Sequence, residues 1–95
     1  MATEAKHVEG KDKGDVKLYA LSTCIWCGKT KKLLKDLDVA YDCIDVDLQD
    51  YDDQQEILKE MRKFNPDGGF PTMVIDNKDC IVGFDEKKIK ERFEK

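Results

Sequence analysis

Cys24-Ile25-Trp26-Cys27 holds the one pair of nucleophilic side chains whose spacing points to a chemistry by itself. Two thiols separated by two residues suit reversible disulfide exchange, or half of a tetrahedral zinc site. Zinc would need two more ligands. His7 is the single histidine and sits in a polar N-terminal stretch, while Cys43 and Cys80 stand alone, each in its own apolar run. The redox reading is favoured, because an apolar run precedes the pair and a helical pattern follows it, and no metal site is expected.

Thiolate is the attacking form, and an ordinary cysteine is mostly protonated near neutrality, so something must lower its pKa. A cysteine at the start of a helix meets unpaired backbone N–H groups and the positive end of the helix dipole. That position falls to Cys24. Cys27, three residues on, shares its helix face and lies one turn deeper. Cys24 is therefore expected to attack and Cys27 to release the mixed disulfide by closing the ring. Cys43 and Cys80 read as small, partly buried strand residues, with a bridge between them as the alternative.

The elements that must carry this pair follow from periodicity. Val16–Leu21 reads as a buried strand, and Leu33, Leu34 and Leu37 mark an amphipathic helix from Cys27 to Asp38, with Ser22 and Thr23 as caps. Tyr41–Leu48 alternates with Ile44, Val46 and Leu48 on one face, as a half-buried strand does. Ile57, Leu58, Met61 and Phe64 predict a second helix over Asp52–Phe64, stopped by Asn65-Pro66-Asp67-Gly68-Gly69. Thr72–Ile75 and Cys80–Val82 form a hairpin around residues 76–79, and Asp85 caps a last helix in which Phe84 can contact Ile89. The order β-α-β-α-β-β-α is an α/β domain over residues 15–95, a mixed sheet covered by three helices. Residues 1–14 show no period and are expected to be a flexible tail.

Composition narrows the partners. Seventeen Lys+Arg against twenty-one Asp+Glu give a formal charge of −4, with no basic stripe, so nucleic acid is not expected. No apolar run approaches the roughly 18 residues of a membrane span, and the N-terminal residues have no apolar core of a leader, so a cytoplasmic protein is expected. Charge is uneven: Lys29, Lys31, Lys32 and Lys35 have no acid among them, whereas residues 42–60 hold eight acids against Lys59. The lysines are either a solvated helix face or a bias toward acidic partners.

Taken together, Cys24-Ile25-Trp26-Cys27 after a strand, Phe70-Pro71-Thr72 opening the third strand and Gly83-Phe84-Asp85 before the last helix resemble a glutaredoxin over residues 16–94. The resemblance implies a thioredoxin fold with a four-stranded sheet in the order 2-1-3-4, which places Cys43 and Cys80 on opposite edges, out of bridging reach. It also implies a cis Phe70–Pro71 bond beside Cys24, with Trp26, Phe70, Pro71, Thr72, Gly83, Phe84 and Asp85 meeting the substrate. The implied activity is thiol-disulfide oxidoreduction on protein or low-molecular-weight mixed disulfides by a monomer with no tightly bound cofactor. Its electrons would come from glutathione, another thiol or a reductase.

The chain departs from the family in three places. Ile25 and Trp26 replace the proline and tyrosine of C-P-Y-C, Leu21 stands where a glutathione-binding lysine is usual, and Val82-Gly83-Phe84-Asp85 lacks one glycine of a G-G-x-D turn. The Gly83-Phe84-Asp85 turn resembles that of glutaredoxin-like redoxins that take electrons from thioredoxin reductase and serve ribonucleotide reductase, which is the alternative reading. A carrier of a [2Fe–2S] cluster held between two chains and two glutathiones is a further rival, against which the bulk of Trp26 argues.

Overall fold

Alternation along the strands builds two cores, one on each face of a sheet. The computed structural model describes residues 6–12 and 14–94. In β2 (Val16–Ala20), Val16, Leu18 and Ala20 enter one core while Tyr19 enters the other. The same division recurs in β4 (Thr72–Ile75), where Met73 and Ile75 oppose Val74, and in β3 (Tyr41–Asp45), where Tyr41 and Cys43 oppose Ile44. Helix α1 (Ile25–Asp36) and α3 (Glu86–Phe93) close the first core through Leu33, Leu34, Ile89 and Phe93. Helix α2 (Tyr51–Phe64) closes the second through Ile57 and Met61. No helix among the described residues is long and apolar enough to cross a membrane.

The sheet order is β1-β3-β2-β4-β5, with β1 spanning Lys6–Val8 and β5 Asp79–Val82. Strands β2 to β5 reproduce the expected 2-1-3-4 arrangement: β2 and β3 run parallel across the α1 crossover, and β4 pairs antiparallel with both β2 and β5. The hairpin turn places Asp76 and Asn77 at positive φ of 56° and 53°, a conformation these short polar side chains tolerate. Cys43 and Cys80 lie three strand spacings apart, about 14 Å, twice what a disulfide can span.

Three expectations are corrected. Part of the supposed flexible tail is a fifth strand, β1 (Lys6–Val8), antiparallel to β3 with His7 opposite Asp42 and Val8 opposite Tyr41; residues 1–5 and 13 lie outside the described residues. Backbone pairing holds this segment rather than an apolar stripe, which is why it shows no period. Lys11 N–H donates to the Asp38 carbonyl at 2.7 Å, Ala40 N–H donates back to Lys11 at 2.9 Å, and a Cβ on Gly10 would lie 2.6 Å from the Val39 carbonyl carbon.

The second correction is at Val46–Leu48, which is a 3₁₀ turn instead of strand. Ala20 at the end of β2 pairs with Asp45, so β3 has no neighbour to continue along. Third, α1 starts at Ile25, two residues before the expected Cys27, and ends at Asp36. Its cap is Cys24 itself, not Ser22 or Thr23.

Candidate active site

Strand register brings three segments to one end of the sheet. Tyr19, near the end of β2, lies opposite Thr72 at the start of β4, and Thr72 lies opposite Val82 at the end of β5. The loops that leave these positions carry Cys24, Pro71 and Gly83-Phe84-Asp85.

Cys24 has extended backbone (φ −85°, ψ 119°), and its Sγ accepts the Cys27 N–H at 3.2 Å. A sulfur acceptor thus does the work usually given to a Ser or Asp oxygen at a helix start. A side-chain hydrogen bond from Cys27 holds the Cys24 thiol below its ordinary pKa, helped by backbone N–H groups of Cys27 and Trp26 and by the charge of Lys31. Cys27 is completely buried among Ala20, Leu34 and Cys43. Burial pushes its thiol up to about 12, and the hydrogen bond with Cys24 adds to the rise. One turn of helix therefore holds an anion-favouring sulfur at its mouth and a protonated one behind it.

Lys31 lies one turn beyond Cys27 on the same face, its Nζ 2.9 Å from Asp45 Oδ1 at the end of β3, with both side chains mostly buried. The strand leading to Cys24 is anchored from the other side by Asp47. Its carboxylate accepts the Ser22 N–H at 2.8 Å and the Ser22 hydroxyl, and these bonds hold the Asp47 pKa below the usual carboxylate range.

The Phe70–Pro71 bond is cis. Thr72, wholly buried, donates its hydroxyl to the Gly69 carbonyl at 2.5 Å and accepts Asn65 Nδ2 at 2.9 Å, so its side chain fixes the loop from inside. Gly83, at φ +76°, donates its N–H to the Pro71 carbonyl at 2.8 Å, tying the third segment to the second. Asp85 caps α3 by accepting the Lys88 N–H at 3.1 Å. Phe84 and Trp26 stack across this junction, and Lys29 Nζ sits 4.6 Å from the Trp26 ring centroid. Trp26 remains 55% exposed and Ile25 75%.

Of the residues singled out from sequence, Cys24, Trp26, Gly83, Phe84 and Asp85 lie around this junction, with Phe70 and Pro71 in the loop tied to it through Gly83 and Thr72 at the start of β4. Sequence reasoning missed Asn65, Asp47, Ser22 as a donor, and the Lys31–Asp45 pair. The signals were weak: Asn65 read as a helix stop, and Asp45 and Asp47 read as the solvent face of a strand.

Comparison with known proteins agrees with this arrangement. Residues 16–80 match the Glutaredoxin family profile. The chain is 38% identical over 80 residues to an uncharacterized glutaredoxin-like 8.6 kDa protein in the rubredoxin operon of Clostridium pasteurianum, covering 84% of this chain and 99% of that protein. A glutaredoxin structure from Methanosarcina mazei Go1 superposes with a TM-score of 0.87 at 48% identity, over 94% of this chain and 86% of the other. Methanoredoxin from Methanosarcina acetivorans gives 0.86 at 44% identity, over 88% of each chain.

Proposed function

The chain belongs to the glutaredoxin family, and from that premise we propose that it is a dithiol thiol-disulfide oxidoreductase in which Cys24 attacks and Cys27 resolves. The observation that carries this reading is the 3.2 Å hydrogen bond from Cys27 N–H to Cys24 Sγ at the start of α1, with the Cys27 thiol buried one turn behind. The Cys24 thiolate attacks one sulfur of a substrate disulfide; the substrate S–S bond breaks, its other sulfur leaves as a thiolate, and Cys24 is left in a mixed disulfide. Cys27 then gives up its proton and attacks Cys24 Sγ, releasing the second substrate thiolate and forming the Cys24–Cys27 disulfide. Two electrons have passed to the substrate, and two thiol equivalents from a donor restore the dithiol.

The substrates are protein disulfides or low-molecular-weight mixed disulfides, met in the cytoplasm by Cys24 together with Trp26, the Phe70–Pro71–Thr72 loop and the Gly83–Asp85 turn. Glutathione is one donor. A thioredoxin reductase feeding a redoxin for ribonucleotide reductase is the second reading, favoured by Leu21 at the usual lysine position and Val82 at a usual glycine.

Activity should vanish in Cys24→Ser, and full reductase activity of that variant would overturn the mechanism. Cys27→Ser should accumulate a mixed disulfide visible by mass. Turnover with glutathione and its reductase, set against turnover with thioredoxin reductase, separates the donors. Visible absorbance of protein purified without oxygen would mark a cluster carrier instead.

A further inference from the structure

The four lysines that cluster in the sequence have different fates in the fold. Lys31 turns inward to Asp45. Lys29 and Lys32 instead line a cavity of about 200 Å³ floored by Leu33 and Phe84, and neither is paired with an acid among the described residues. This cavity continues from the exposed Ile25 and Trp26 surface beside Cys24, since Lys29 and Phe84 both contact the Trp26 ring.

Four of the acids around this end of the sheet are engaged. Asp45 holds Lys31, Asp47 holds Ser22, Asp85 caps α3, and Glu86 on the cavity rim pairs with Lys90 at 2.9 Å. Asp36, the remaining acid of the lining, lies a full turn beyond Lys32, at the end of α1 away from Cys24. The surface next to the reactive sulfur is thus apolar and cationic, and the charge changes sign farther along.

We propose that the Trp26–Phe84 face and the Lys29–Lys32 edge form a docking groove for an extended protein segment with an acidic residue near its disulfide cysteine. The inference rests on the reductase reading and adds the substrate class. Helical rise sets Lys29 about 7.5 Å and Lys32 about 12 Å beyond Cys24 along α1. An extended peptide advances about 3.4 Å per residue, so the acid belongs about two to four positions from the substrate cysteine. Apolar contact with Trp26 and Phe84 seats the segment, and the lysines select its charge.

The test uses peptides carrying one cysteine in a disulfide with 2-mercaptoethanol and Glu, Gln or Lys placed two to four positions away, on either side. At low ionic strength kcat/KM should favour the Glu peptide over the Gln peptide by about three- to tenfold, the range expected for two exposed ion pairs, mainly through KM. The preference should collapse in about 0.5 M salt. Lys32→Glu should invert the order of the Glu and Lys peptides, whereas Lys29→Arg should keep it. Equal kcat/KM for Glu and Lys peptides, or a preference that survives salt and Lys32→Glu, would overturn the inference. Uncharged bis(2-hydroxyethyl) disulfide distinguishes the two levels. If the wild-type protein reduces it without charge preference among the peptides, the groove alone is wrong; if it reduces neither, the reductase reading falls and takes the groove with it.

Discussion

The rings of Trp26 and Phe84 stack with centroids 6.0 Å apart and planes 25° from parallel, so the residue between the two cysteines is fixed to the turn that opens α3. Trp26 is the one tryptophan of the chain, and its fluorescence therefore reports on this junction alone. Forming the Cys24–Cys27 disulfide should change its emission. Phe84→Ala should lower its steady-state anisotropy in the reduced protein by freeing the indole, and an unchanged anisotropy would show that Lys29 and the helix suffice to hold it.

The two thiols should titrate in opposite directions. Alkylation of Cys24 should already be fast below the ordinary thiol pKa and level off early, while Cys27 should stay unreactive until the pH nears about 12. For stability, a lowered pKa at Cys24 contributes above the unfolded thiol value and is lost as pH falls through the folded one. Cys27 works the other way: its anion is penalised in the fold, so the reduced protein loses stability as pH climbs past the unfolded value of about 8.5. Urea unfolding at pH 7 and pH 10 should show a larger loss for Cys24→Ser than for the same protein with Cys27→Ala added.

Thr72→Val should be costly although it changes little volume. It removes the 2.9 Å acceptor of Asn65 Nδ2 and the 2.5 Å donor to the Gly69 carbonyl, leaving these two groups only their long 3.4 Å bond to each other. Such a loss is worth about 1–3 kcal/mol, and each kcal/mol lowers Tm by about 4–8 °C in a domain of this size. Thr72→Ser should recover most of it in a thermal melt.

At the sheet edge, His7 Nδ1 lies 2.8 Å from Asp42 Oδ1, and this hydrogen bond raises the imidazole above its usual pKa. Because the folded value is the higher one, the clasp is fully present below about pH 6.5 and is lost as the pH rises through the folded value. An NMR titration of the His7 ring should show a midpoint above that of free histidine, and Asp42→Asn should bring it down.

What could be read without coordinates was local. The Cys24/Cys27 spacing, the Asp85 cap and the 76–79 hairpin turn each depend on residues within four positions of one another, and the Glutaredoxin match supports the family resemblance. The misplacements have long-range or unusual causes. Ser22 and Thr23 are good capping residues by type, yet Ser22 gives both its donors to Asp47, 25 positions away, and a thiol takes the cap. Ile44, Val46 and Leu48 keep the strand period to the end of the run, but where a strand ends depends on its neighbour, and β2 stops at Ala20. β1 was hidden because a backbone ladder leaves no mark in side-chain type. Asn65 could be seen as a breaker of α2 but not as the buried donor that steadies Thr72.

With Lys6–Val8 laid along β3, the described sheet ends on that side in a strand of three residues, and its opposite rim is β5. It is four residues long and begins at Asp79, whose carboxylate is gripped by Arg92 at 2.7 Å. Rims this short are poor templates for recruiting foreign strands. In the docking mode proposed above, an extended, cysteine-bearing segment can therefore meet the thiols without zipping onto the sheet along its side.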